Sequence, residues 1–277
     1  MYINNPIRLL KIWIKMYRII SVLDGREVGL EDILNREMDV LFFGEVHNVP
    51  WIIDLERMLV EELYGRGSLK FVGLEWFNYR MDEMVGNWLK DKISWDEFKE
   101  EYEKGPEGFP LDSYRPVLEA IKRVGVPIIG VMPPRDEVKH ISRYGLDGVD
   151  KIVDSPISKD ELKLDFRGYR EILYSMFPKE GPMARLDPEK IFIAQAYKDE
   201  VISYRVFEGY KRYGPGLVIT GFAHSEIYGS ASTRLKNRGL KNYIVFSSRN
   251  SKWNDVKDWF DRNRDVLETD YIAIIDQ

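Results

Sequence analysis

The chain has 277 residues, a formal net charge of −5 at pH 7, 44% hydrophobic and 31% charged residues, and no cysteine. That length buries one large core, the acidic balance argues against a general nucleic-acid binder, and the missing thiols exclude disulfides, thiolate metal sites and cysteine nucleophiles. Any metal must then be held by His, Asp and Glu. Only Gln195 and Gln277 stand against many Glu and Lys, a balance that resembles heat-adapted intracellular proteins, so a thermophilic, cytoplasmic protein is expected.

Residues 1–20 form a basic N-terminal segment with Arg8, Lys11, Lys15 and Arg18 and no acid. Its longest apolar run, Ile12-Trp13-Ile14, is far short of the roughly 7–15 residues of a signal-peptide core. No segment approaches the roughly 18 apolar residues of a membrane span. An amphipathic helix packed on the body is expected there, with a membrane-surface helix as the alternative. Met16 is an alternative start, which would leave residues 1–15 outside the native protein.

Residues 19–22 offer a first strand. An apolar run at 40–43 is followed by helical periodicity over 51–64, where Ile52, Leu55, Leu59 and Leu63 make a stripe spaced by three and four. Asn48 and Pro50 fit that helix's start and Gly65-Arg66-Gly67 its stop. The strand 71–74 ends at Glu75. A helix over 117–123, Gly125 and the strand 127–131 follow. A long helix over 188–213 leads to the strand 217–220, and strands 243–246 and 271–275 flank a helix over 256–263. Two stretches interrupt the alternation. Residues 78–113 are polar and aromatic with helical spacing and read as a small helical insert, either a lid or a surface ornament. Residues 136–187 are charged and read as irregular. The pattern predicts a single α/β domain over 1–277: a mostly parallel β-sheet of six to seven strands with helices on both faces, plus the helical insert.

Two of the three histidines share one frame. Gly44-Glu45-Val46-His47 and Gly221-Phe222-Ala223-His224 each follow an apolar strand. With 21 glycines in the chain, two such coincidences arise by chance on the order of 2% of the time. Carboxyl ends of parallel strands are where ligands and catalysts gather. Glu45 and His47, Glu75, Arg135 and His224 each lie at such an end, which places one site at that edge, with Glu45 and Arg135 expected near its rim. Singly, each has a dull reading: a structural histidine, a solvated strand terminus, an arginine paired with Asp136. His140, in the charged stretch, reads as surface.

Two imidazoles with carboxylates and no thiols can hold Zn²⁺ or Mn²⁺ with an open position for water, through His47, Glu75 and His224. A metal-free arrangement has Glu45 orient His47 as general base and Arg135 stabilise an oxyanion. Gln195 and Asp199, four apart, share a face of the long helix. There is no zincin helix, nucleophile elbow or phosphate-cradling glycine loop.

These residues resemble the ChaN-like haem-binding-uptake family, grouped with Tiki proteases, TraB-like proteins and erythromycin esterases. The resemblance spans roughly residues 30 to 248. It rests on Gly44-Glu45-Val46-His47, on Glu75 in Gly73-Leu74-Glu75-Trp76-Phe77, on Tyr114-Arg115-Pro116 with Pro134-Arg135, on Gln195 and Asp199, and on Gly221-Phe222-Ala223-His224 with Gly229 and Arg234-Leu235. Met132 stands where Asn is expected. The chain also has no cysteine to carry the lipid of membrane-anchored ChaN-type proteins, which argues against surface haem uptake. The resemblance implies a parallel sheet with flanking helices and a helical subdomain. It also implies that Gln195 and Asp199 face the site, with Tyr114, as substrate or supporting residues. The expected function is a hydrolase that activates water at a His/Glu site to cleave an ester, lactone or peptide bond. A haem binder without turnover, with an axial His or Tyr, is the alternative. A small-molecule or peptide substrate is the expected partner.

Overall fold

Near-continuous apolar runs need cover on both faces, and the eight-stranded sheet of the computed structural model provides it. Residues 17–177, 180 and 186–275 are described, so the helix expected over residues 1–16 lies outside them. The strands are β1 (Tyr17–Ser21), β2 (Glu27–Val28), β3 (Val40–Glu45), β4 (Phe71–Asn78), β5 (Ile128–Met132), β6 (Gly216–Gly221), β7 (Tyr243–Arg249) and β8 (Tyr271–Ile275). The helices are α1 (Leu30–Leu34), α2 (Pro50–Gly65), α3 (Asp82–Leu89), α4 (Trp95–Glu103), α5 (Leu111–Val124), α6 (Arg135–Tyr144), α7 (Tyr169–Met176), α8 (Pro188–Tyr213), α9 (Ala231–Asn237) and α10 (Trp253–Asn263).

The strand order is β2-β1-β8-β7-β3-β6-β4-β5. The six strands from β8 to β5 run parallel, and β1 and β2 add an antiparallel edge. The strand beyond the expected six to seven is β2, a two-residue pairing of Glu27 and Val28 with Ile20 and Ile19, too short to show a pattern.

Alternation along β3 sends Leu41 and Phe43 to one face and Val40 and Phe42 to the other. The first pair joins a core under α2 and α5, the second a core under α8 and α9. The chain leaves β3 toward α2 on one face and leaves β6 toward α9 on the opposite face. Neighbouring strands whose connections part in this way open a crevice at their carboxyl ends.

Within residues 78–113, Val85, Trp88, Phe98 and Tyr102 are buried in the same core as α2 and α5. Trp88 stacks on Phe98 with ring centroids 5.1 Å apart, and the Tyr102 hydroxyl donates to the Trp76 carbonyl at 3.0 Å. Residues 136–187 hold more order than expected, since α6 and α7 both fall there. Only Glu137 and Ile141 are buried on α6, and its other charges hide the helical period. Both helices pack against the amino-terminal half of α8 through a separate apolar cluster that includes Ile141, Tyr169, Ile172, Phe192 and Tyr197.

Candidate active site

The two Gly-x-x-His frames meet because β3 and β6 are neighbours in register, Gly44 opposite Thr220 and Glu45 opposite Gly221. Each glycine makes room for the other frame. A Cβ on Gly44 would stand 3.0 Å from Phe222 Cα and 2.9 Å from Ser247 Oγ. A Cβ on Gly221 would stand 3.1 Å from His47 Nε2 and 3.4 Å from Glu75 Oε2. The motif's glycines are therefore set by close approach between strands.

Glu45, the last residue of β3, is 1% exposed, so it lies beneath the site and not at the rim where it was expected. Its Oε1 accepts from Trp76 Nε1 at 2.9 Å and sits 3.0 Å from His47 Nδ1, while Oε2 accepts from the Tyr114 hydroxyl at 3.0 Å. That hydroxyl in turn accepts from the Asn48 backbone N–H at 2.9 Å. Asn48 turns the chain with a φ of 59°, a left-handed conformation asparagine tolerates well. A carboxylate only accepts, so Nδ1 of His47 carries the proton and Nε2 is left toward the cavity. The His47 ring, edge-on to Phe109 at 5.1 Å, keeps 44% of its side chain exposed. Desolvation pulls its pKa down, but the Glu45 hydrogen bond and the charges of Glu75 and Glu45 outweigh it and raise it.

His224 closes a single 3₁₀ turn, Phe222–His224, directly after β6, and its side chain is only 8% exposed. Nδ1 donates to Asp199 Oδ1 at 2.6 Å, and Nε2 stands 3.7 Å from Glu75 Oε1. The other Asp199 oxygen accepts from the Tyr169 hydroxyl. Behind Tyr169 lies the fully buried Arg234, which donates to Glu200 Oε2 at 2.5 Å and to the Gly229 carbonyl at 2.7 Å.

Glu75 lies in β4, just past Leu74, the last β4 residue in register with β6, and its Oε2 accepts the Gly221 N–H. Burial alone would raise its pKa, yet His224, His47, the Gly221 N–H and Lys198 together lower it, so Glu75 is ionised. Gln195 places its amide nitrogen 3.1 Å from His224 Nδ1, and its Oε1 accepts from Lys198 Nζ at 3.2 Å. Lys198 was missed from the sequence, although it shares a helix face with Gln195. Arg135 lies at an exposed rim, donating to the Glu107 carbonyl with its Nε 3.7 Å from the Glu107 carboxylate. His140 is half-buried against Tyr144, with ring centroids 4.6 Å apart.

His47, Glu75, Gln195, Lys198 and His224 form the polar floor of a cavity of about 540 Å³, and Glu45 reaches it from below. The rest of the lining is mostly apolar, with Val138, Leu173, Phe177, Ile191, Ala194 and Phe222. Among the described residues, no three His, Asp or Glu side chains are grouped to hold a metal ion. Each of the expected His47, Glu75 and His224 gives one atom to an internal partner, Glu45, the Gly221 N–H and Asp199 in turn, and keeps its other atom, but the three are not grouped as a ligand set. Haem makes a different demand, an apolar slot with one open axial side chain. The cavity meets it with the apolar wall and His47, and no tyrosine lines it among the described residues.

Fold and site together define a class: a mostly parallel α/β protein whose central crevice carries two imidazoles, each held by a buried carboxylate. Within that class, the family described as haem-binding uptake, Tiki superfamily, ChaN matches residues 35–235, and the chain belongs to it. The structure is similar to ChaN of Campylobacter jejuni, solved with cofacially bound haem, at 16% identity and a TM-score of 0.67 over 95% of this chain and 98% of that one. It is also similar to an erythromycin esterase mutant in its open conformation, at 12% identity and a TM-score of 0.52 over 93% and 97% of the two chains. At these identities the likeness is one of fold. No curated protein matches the chain in sequence. Among the described residues, no helix is long and apolar enough to cross a membrane.

Proposed function

We propose that this site hydrolyses a small ester, lactone or peptide bond by general base catalysis. The observation that carries the reading is His47 Nε2 and the ionised Glu75 facing one gap beside Gly221, at the floor of a cavity with apolar cover. Water in that gap gives a proton to His47 Nε2 as its oxygen bonds to the substrate carbonyl carbon. The bond to the leaving group then breaks, and the leaving group takes the proton back from His47. Glu45 holds the imidazole in the required tautomer and stabilises its cation. Glu75 accepts a hydrogen bond from the same water, and His224, fixed by Asp199, stands beside it.

A second reading is favoured by the apolar wall. Haem would lie against Leu173, Phe177 and Phe222 with His47 at the iron, and would supply a coordinated metal centre without turnover. One experiment separates the two. Ester, lactone and peptide substrates are screened on wild type and Glu75→Gln, beside a haem titration of both. Hydrolysis that falls about 10²-fold with haem binding unchanged is expected for the enzyme. No turnover on any class, with stoichiometric haem binding lost in His47→Ala, would replace the first reading with the second.

A further inference from the structure

A second cavity of about 610 Å³ adjoins the first and shares Glu75, Val138, Ser142 and Lys198 with it. The two are lobes of one cleft with different walls. The first lobe carries the apolar side chains, among them Leu173, Phe177 and Ile191. The second brings together the cationic side chains of Arg135, Lys139 and Lys198 with Glu75, Glu107 and Asp136.

Lys198 stands out among these. It is half-buried, and its hydrogen bond goes to the neutral Gln195 Oε1 at 3.2 Å. No carboxylate among the described residues lies within ion-pair distance of it, although Glu75 and Asp199 act on it from further away. Desolvation lowers its pKa, the like charge of Arg135 adds to that, and the two carboxylates oppose it. A half-desolvated ammonium without a contacting anion is costly unless a ligand supplies one. Arg135, solvated at the rim, is only loosely paired and can turn toward a ligand. Its nearest carboxylate is that of Glu107, which burial raises in pKa and which accepts from Asn78 Nδ2 at 2.6 Å.

We propose that the cleft binds an amphipathic monocarboxylate, its carboxylate docked on Lys198 toward Arg135 and its apolar body against Leu173, Phe177 and Ile191 in the first lobe. The acids around the second lobe select the charge. Glu75, Glu107 and Asp136 repel a phosphate dianion more than a single carboxylate. The apolar lobe selects the body, and a hydrophilic acid would leave that wall wet. The inference deepens the proposed site but does not depend on turnover.

Octanoate and octanamide are the probes, since they share a chain and differ in charge. Calorimetry on wild type is expected to show octanoate bound about tenfold or more tighter than octanamide, the size of one charge-assisted hydrogen bond. Lys198→Met should abolish that preference and leave octanamide within twofold of wild type. Lys198→Arg should retain it. Glu75→Gln should tighten octanoate alone, because it removes the opposing charge. A thermal melt checks that each variant is folded, and Lys198→Arg keeps the test open if Lys198→Met is not. Equal binding of the two probes by wild type, a preference that survives Lys198→Met, or no measurable binding of either would overturn the proposal. Substrate hydrolysis without a carboxylate preference would remove this inference and leave the hydrolase reading standing. A Lys198-dependent preference without hydrolysis on any substrate would do the reverse.

Discussion

Gly221 and His47 are in such close approach that a methyl group on the glycine would stand 3.1 Å from the imidazole Nε2. It would also stand 3.4 Å from Glu75 Oε2, so the Gly221 α-carbon forms the wall of the gap those side chains share. Gly221 has a φ of −54°, a conformation alanine adopts without strain. Gly221→Ala should therefore fold and melt close to wild type while hydrolysis drops by about 10²-fold, since the added carbon displaces the reacting groups. Unchanged activity in that variant would place the chemistry elsewhere.

The raised pKa of His47 sets an acid limb. A general base works as the neutral imidazole, so turnover should be full above that pKa and fall as the pH drops through it. The reference is the ordinary histidine value near 6.5, with the limb above it. Glu45→Gln keeps the shape and one acceptor oxygen, which can serve Trp76 Nε1 and His47 Nδ1, but removes the charge beside Nδ1. Its limb should move to lower pH. A pH profile of kcat/KM checks this, and a limb that stays in place would detach His47 from the proton transfer.

Glu56 is fully buried on α2, and burial followed by the charge of Glu45 drives its pKa well above the usual carboxyl range. Such a group binds a proton in the folded state that the unfolded chain has already lost. Its stabilising contribution is present below the unfolded carboxyl value and fades as pH rises from there through the folded value. Glu56→Gln removes the titration and keeps the shape. The variant should match wild type at pH 4 and exceed it in thermal midpoint at pH 8. A gap of constant size across that range would show that Glu56 does not titrate on folding.

Arg234 is enclosed by Glu200, the Gly229 carbonyl and the rings of Phe166 and Tyr169, 4.8 and 5.5 Å from its guanidinium carbon. Replacement by Met keeps the apolar stem and strands part of the Glu200 charge, for which Arg238 at 2.6 Å remains. Urea denaturation should show a loss of about 3 kcal/mol. The same change should weaken hydrolysis by loosening Tyr169 and, through it, the Asp199–His224 pair. Stability within 0.5 kcal/mol of wild type, the range of an ordinary surface substitution, would mean that Arg238 alone satisfies Glu200.

The strands and their glycine turns were legible in the sequence because a strand buried on both faces must be apolar throughout, and its exit must be tight. That placed Glu45, His47, Glu75 and His224 at one sheet edge. Periodicity reports only which face of its own element a residue occupies. It placed Arg135 near the rim without its partner Glu107, made residues 136–187 look irregular, and did not single out Lys198. Which side chains from distant elements meet was decided by the sheet order. Because β6 inserts between β3 and β4, Gly221 is brought against His47 and Glu75, and α8 is laid across the crevice with Asp199 on His224 and Lys198 between two lobes. The neighbours in that crevice then lower the pKa of Glu75 against its burial, while burial on α2 beside Glu45 raises that of Glu56. These outcomes depend on through-space distances, and a linear pattern of residue types does not contain them.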